Sequence, residues 1–162
     1  MRICVCAGSF DPPTLGHQDI LRRASAMYDK VYCAVLINPR KNGVFTPNER
    51  VDLLKKITAD LPNVVCQADG GALLDYAKKV GACAVVRGLR NQEDFLYEYQ
   101  WALVNRQLAP QIEWIYLMSD PAHAHVSSSH VREVGSLGFP LDAFLPQSIV
   151  DEVTEKLRGI HK

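Results

Sequence analysis

The sequence predicts an α/β fold, an open five-stranded parallel sheet with helices on both faces. Three observations predict it. Five short runs, Ile3 to Ala7, Val31 to Ile37, Val64 to Cys66, Cys83 to Val86 and Ile112 to Met118, are apolar at both alternating positions, as strands buried on two faces must be. Amphipathic segments of helical period lie between those runs. Polar segments follow the strand ends, where open parallel sheets bind ligands.

The first strand runs into Gly8-Ser9-Phe10-Asp11-Pro12-Pro13, a turn that leads to a helix beginning near Gly16 and carrying Ile20, Ala24 and Met27 on one face. Asn38-Pro39-Arg40-Lys41 follows the second strand. The next helix has an explicit start: Thr46 as N-cap, Pro47 at the first helical position and Glu49 to complete a capping box. Val51, Leu54 and Ile57 form its apolar face. Further helices are expected over Leu73 to Val80, Asp94 to Gln107, Ser129 to Val134 and Gln147 to Leu157, the last stopped by Gly159. Right-handed crossovers between parallel strands bring the loops after strands to one edge of the sheet. The polar segments at Gly8 to Pro12, Asn38 to Lys41, Arg87-Gly88-Leu89-Arg90 and Ser127-Ser128-Ser129 should therefore meet there.

With 162 residues, 48% hydrophobic, the chain is expected to form a single domain over residues 1–162. Eighteen basic and eighteen acidic residues cancel, so no overall field gathers nucleic acid or an anionic membrane. No apolar run approaches the length of a membrane span, and the opening Met1-Arg2 leads into no signal-peptide architecture, so a cytoplasmic protein is expected. The five cysteines, Cys4, Cys6, Cys33, Cys66 and Cys83, form no C-x-x-C pair and read as buried, reduced thiols. His123, His125 and His130 lack a nearby cysteine or carboxylate to complete a tetrahedral set, so no metal site is expected. Lys55-Lys56, Lys78-Lys79 and Arg22-Arg23 read as solvated helix faces, and the i, i+4 aromatics Phe95 and Tyr99 as packing or subunit contact.

The phosphate chemistry rests on neither a Walker A loop nor a G-x-G-x-x-G fingerprint. His17 falls in the first turn of the first helix, where free N–H groups and the helix dipole favour an anion and a ring nitrogen can add a donor. Arg87 and Arg90 bracket Gly88-Leu89 and can each grip phosphate oxygens through two parallel hydrogen bonds. Lys41 lies in the loop Arg40-Lys41-Asn42-Gly43 and is suited to orient a phosphate as a point charge. Ser127, Ser128 and Ser129 supply consecutive hydroxyls and N–H groups before a helix.

Thr14-Leu15-Gly16-His17 resembles the [T/H]xGH motif of the nucleotidylyltransferase superfamily. The ordered series GSFDPxTxGH, a lysine loop before FTxxER, RGLR, DFxYE and SSSxVRE resembles bacterial phosphopantetheine adenylyltransferases along the whole chain. That resemblance implies a Rossmann-like fold of the nucleotidylyltransferase type. It also implies transfer of AMP from ATP to 4'-phosphopantetheine, giving dephospho-coenzyme A and pyrophosphate. It places His17, Lys41 and Arg90 in catalysis. ATP is expected at Ser9, Phe10, His17, Gly88, Leu89, Arg90, Glu98 and the run His123-Ala124-His125-Val126-Ser127-Ser128-Ser129. The acceptor is expected at Ser9, Lys41, Leu73 and Arg87. At His123 family members commonly carry an aromatic residue. Mg2+ accompanying ATP, coenzyme A as feedback inhibitor and a homohexamer are further implications. The alternatives are a nicotinate mononucleotide adenylyltransferase or another nucleotidylyltransferase of the superfamily, or a nucleotide-binding module without turnover. Arg87-Gly88-Leu89-Arg90 with Ser127-Ser128-Ser129 favours the pantetheine branch, and intact Thr14, His17, Lys41 and Arg90 favour turnover.

Overall fold

The computed structural model describes residues 1–37 and 43–159. Strands and helices alternate as β1 (Ile3–Gly8), α1 (Leu15–Met27), β2 (Lys30–Leu36), α2 (Pro47–Ile57), β3 (Val64–Asp69), α3 (Leu73–Lys79), β4 (Ala84–Leu89), α4 (Gln92–Leu108), β5 (Glu113–Met118), α5 (Ser128–Ser136) and α6 (Val150–Arg158). All strand pairings are parallel, in the order β3-β2-β1-β4-β5. The chain steps outward from β1 to one edge and then crosses back to build the other. The gap between the first and second halves thus opens beside β1 and β4, the point where such sheets form a crevice.

Alternation along β1 explains the two cores. Cys4 and Cys6 face the cluster built by α1, α2, α5 and α6, with Leu21, Leu53, Leu54 and Leu157 fully buried. Val5 and Ala7 face the opposite cluster with Tyr76 and Ala77 of α3. Each such leucine removed from water contributes roughly 2 kcal/mol. The predicted capping box holds: the Glu49 amide donates to Thr46 Oγ1, the Thr46 amide donates back to Glu49, and Pro47 takes the first position.

The differences from the expected elements have simple causes. β4 continues through Arg87, Gly88 and Leu89, paired with Tyr116, Leu117 and Met118 of β5. The RGLR stretch therefore lies mostly inside the strand, because ladder hydrogen bonds do not stop where hydrophobicity does. β3 likewise runs on to Asp69. The last helix is a short 3₁₀ turn, Gln147–Ile149, followed by α6. Cys4, Cys6 and Cys33 are buried as expected, but Cys66 is half-buried on the edge strand β3, and Cys83 is exposed just before β4. Among the described residues no helix is long and apolar enough to cross a membrane.

On α4 the ring pair Phe95–Tyr99 stacks at 5.8 Å, yet both rings stay about half exposed, as do Trp101 and Leu103. The helix buries little beyond Glu98, Asn105 and its C-cap Ala109.

Candidate active site

The first feature of the site is how α1 begins. Thr14 is the N-cap in extended conformation, and the His17 amide donates to its hydroxyl at 3.4 Å. In return the Thr14 amide donates to His17 Nδ1 at 3.0 Å. A backbone N–H can only donate, so Nδ1 is the acceptor and the ring proton of the neutral imidazole sits on Nε2. Burial, helped by the charges of Arg90 and Arg87, lowers the His17 pKa to about 4. The imidazole is therefore a neutral N–H donor at physiological pH. Phe10 packs edge-on against it at 5.0 Å.

Phe10 itself has φ 48°, the left-handed region that costs a non-glycine residue roughly 1–2 kcal/mol. The turn is held there by the next residue. Buried Asp11 accepts from the amides of Phe45 at 2.8 Å and Val44 at 3.0 Å, and pairs with Arg50 at 3.4 Å and Arg132 at 3.7 Å. Arg50, also buried, donates to the carbonyls of Phe45 at 2.7 Å and Ser9 at 3.2 Å. Arg132 donates to the Asp11 carbonyl at 2.6 Å and to Ser129 Oγ at 3.2 Å. One knot thus ties the loop after β1 to the entry of α2 and to α5. Gly43 borders it so closely that a Cβ there would stand 1.6 Å from Arg50 Nη2 and 2.9 Å from Asp11 Oδ2.

Arg87 reaches back from β4 across the sheet edge. Its Nη1 donates to the Ala7 carbonyl, while Nε and Nη2 donate to Glu98 Oε1 at 2.9 and 2.6 Å. Arg90 is held by Asp94 through two bonds, Nε to Oδ2 at 2.9 Å and Nη2 to Oδ1 at 3.0 Å. Ser127 caps α5, its hydroxyl accepting from the His130 amide at 3.1 Å, and Ser128 donates to the Pro12 carbonyl at 2.7 Å.

A cavity of about 650 Å³ opens among these groups, within the range of small-molecule sites. Of the residues singled out in the sequence, Ser9, Phe10, His17, Arg87, Gly88, Arg90 and Glu98 line it, with Val126, Ser127, Ser128 and Ser129. Three of the four polar segments therefore converge; the fourth, with Lys41, lies outside the described residues. Leu89 is buried behind the wall rather than in it. His123, Ala124 and His125 do not line the cavity, although the His123 Cβ stands 3.9 Å from where a Cβ on Gly16 would be. The buried His123 Nδ1 has no hydrogen-bond partner among the described residues. Leu73 opens α3 and is partly buried against the second core, outside the set of residues that line the cavity.

Sequence reading passed over Asp11, Arg50 and Arg132, although the first motif, FTxxER and SSSxVRE contain them. An arginine buried on the apolar face of an otherwise amphipathic helix was the available signal for Arg50. Among the described residues no three His, Cys, Asp or Glu side chains gather as a metal set. Asp11, Asp94 and Glu98 along the cavity already accept from N–H groups.

A strand order that reverses between β1 and β4 beside a helix N-terminus, lined with guanidinium groups and hydroxyls, suits the phosphates of a nucleotide, and the comparisons with known proteins give the class, a nucleotidyltransferase. The cytidylyltransferase-like family model matches residues 5–134. The protein is similar over its length to phosphopantetheine adenylyltransferases. The one from Caldanaerobacter subterraneus subsp. tengcongensis is 45% identical, covering 98% of this chain and 99% of the relative. The one from Symbiobacterium thermophilum is 47% identical, covering 94% of each. A crystal structure from Vibrio parahaemolyticus, of a protein proposed to be a nicotinate-nucleotide adenylyltransferase, shares the fold. Its TM-score is 0.71 at 20% identity, covering 97% of this chain and 95% of that one. The chain belongs to the phosphopantetheine adenylyltransferase family.

Proposed function

We propose that the cleft binds ATP and 4'-phosphopantetheine side by side and transfers AMP between them, giving dephospho-coenzyme A and pyrophosphate. The single observation that carries the reading is the neutral His17, its Nδ1 fixed by the Thr14 amide, in a cavity shared with Arg87 and Arg90. A phosphate oxygen of the acceptor attacks the α-phosphorus in line, and the bond to the β-phosphate oxygen breaks. No side chain needs to become covalently attached. Catalysis then rests on positioning and on donors aimed at developing charge.

In this reading His17 Nε2–H donates to the α-phosphate as its charge grows. Arg90 and the serines at the start of α5 hold the β- and γ-phosphates, assisted by the helix N-terminus. Arg87 orients the acceptor phosphate, and Glu98 acts on Arg87 rather than on the nucleotide. Lys41 is assigned to the acceptor phosphate by the family resemblance alone. Magnesium would enter as the complex with ATP, which suits a cavity in which Asp11, Asp94 and Glu98 are already engaged.

Coenzyme A repeats the product's chemistry with one more phosphate, so the same cleft suits it as a feedback inhibitor. The exposed aromatic face of α4 is assigned to subunit contact in a homohexamer acting in the cytoplasm. The nicotinate mononucleotide alternative draws on the Vibrio structure, whose 20% identity carries the fold alone.

The test is an acceptor panel with magnesium. The pure protein is given ATP with 4'-phosphopantetheine, nicotinate mononucleotide or glycerol 3-phosphate, and CTP as an alternative donor. Pyrophosphate release and product mass are read. Dephospho-coenzyme A formation from the first pair alone is expected. Turnover with another acceptor only would replace this substrate assignment, and no pyrophosphate with any pair would favour a module without turnover.

A further inference from the structure

Three cysteines stand abreast in the sheet. Cys6 of β1 is in register with Cys33 of β2, and Cys33 is in register with Cys66 of β3. Residues paired in register on neighbouring parallel strands point to the same face, with the strands about 4.8 Å apart. All three side chains belong to the same core face. A Cα separation near the strand spacing falls inside the span of about 4.4–6.8 Å that a disulfide bridges. The two inner thiols, Cys6 and Cys33, are sealed, whereas Cys66 on the edge strand is half-buried.

We propose that Cys66 is a peroxide-reactive thiol and that Cys33 resolves it, so that the pair forms a reversible disulfide between β2 and β3. The surroundings of Cys66 fit this assignment. Hydrogen bonds with the Cys33 thiol and the Thr58 hydroxyl, with the charge of Lys55, lower the Cys66 pKa to about 7, although its burial opposes them. Cys33, deeper in the core, is raised by burial, so Cys66 is the nucleophile and Cys33 the later partner. Thr58 Oγ1 lies 3.5 Å from Cys66 Sγ and gives its own proton to the Leu54 carbonyl at 2.8 Å. That contact fixes where the sulfur points. Cys83, although exposed, has no cysteine in register: its neighbours across the strand entry are Ile3 and Glu113.

The chemistry balances in two steps. The Cys66 thiolate attacks one oxygen of a hydroperoxide; the O–O bond breaks, an S–O bond forms, and hydroxide or alkoxide leaves. Sulfur has lost two electrons and the peroxide has gained them. Cys33 sulfur then attacks the Cys66 sulfenic acid, the S–O bond breaks, and the departing hydroxide takes the Cys33 proton as water. The assignment is independent of the transferase reading.

The test uses the whole chain treated with a small excess of hydrogen peroxide under non-denaturing conditions, then intact and peptide mass spectrometry. The expected product is about 2 Da lighter, with the Cys33 and Cys66 peptides linked and dithiothreitol restoring the original mass. Cys83→Ser should leave that link unchanged. Cys33→Ala should instead trap a sulfenic acid on Cys66, labelled by dimedone. Because Cys33→Ala removes packing from the core, an independent reading is taken on the wild type: brief iodoacetamide treatment should label Cys66 at least as fast as exposed Cys83. Oxidation confined to Cys83, oxygen added at Cys66 without a link in the wild type, or Cys66 slower than Cys83 in labelling would each overturn the proposal.

Discussion

Thr14 and His17 satisfy one another: the amide of each donates to the side chain of the other, at 3.0 Å to Nδ1 and 3.4 Å to Oγ1. Capping the helix and fixing the imidazole tautomer are thus the same act. His17→Ala is expected to lower kcat by about 10²–10³-fold, with a smaller change in either KM, because a donor to developing charge works mainly in the transition state. Steady-state kinetics with both substrates varied decide it. Near-normal turnover would remove His17 from the proposed role.

The same residue sets a pH dependence. The His17 pKa is about 4 in the folded protein against 6.5 for an unperturbed histidine, so between those values the unfolded chain binds more protons. Its contribution is fully present above pH 6.5 and is lost as pH falls towards 4. Over that window it amounts to about 3 kcal/mol. Urea unfolding of wild type and His17→Gln at pH 7.5 and pH 5 should show a smaller acid loss in the variant. Parallel curves for the two would contradict the assigned ionisation.

Glu98 holds Arg87 through Oε1 at 2.6 Å, and the carboxylate is buried while the guanidinium is partly exposed to the cleft. Glu98→Gln removes the charge that keeps Arg87 in place but keeps the shape. The expected result is a rise of about tenfold in acceptor KM, equivalent to about 1.4 kcal/mol, with ATP KM little changed. A change in ATP KM alone would return Glu98 to the nucleotide side.

Much of this arrangement is legible in the sequence, and the parts that are not have identifiable causes. Apolar runs mark the five strands along the chain because parallel strands are buried on two faces, and Thr46-Pro47-Asn48-Glu49 marks a helix start to the residue. Arg87 was legible as a cleft residue, but not as an interior strand residue, since its ladder bonds are backbone and leave no side-chain pattern. Leu73 is legible both as an acceptor contact and as a core residue, because a helix start near a strand end is compatible with either, and it packs against the second core. Asp11 stayed hidden because its partners, Phe45, Arg50 and Arg132, are distant in the chain, and a buried ion pair has no local period.

That knot makes its own prediction at Gly43. An alanine Cβ would enter the space of Arg50 Nη2, and Arg50 cannot retreat without loosening its bonds to Ser9 and Phe45. Gly43→Ala should lose about 1–3 kcal/mol in urea unfolding, the cost of unpairing a buried polar group. Gly70→Ala is the comparison, because a Cβ there meets nothing within 4 Å. Equal stability of the two variants would show that the knot yields freely.

The face of α4 bears on assembly. Phe95, Tyr99, Trp101 and Leu103 are each about half exposed on one helix, more large apolar surface than an isolated chain ordinarily leaves in water. Contact between copies would bury it, and the residues are aromatic in the way interface centres are. Native mass spectrometry should therefore give a six-chain mass for the wild type, and Tyr99→Glu with Trp101→Glu should shift it to smaller species by burying unpaired charge at the contact. Cys33 and Cys66 lie on β2 and β3 at the other side of the sheet, so the thiol chemistry should survive in that variant. A wild type that is monomeric at working concentrations would leave the aromatic face for another partner and end the hexamer proposal.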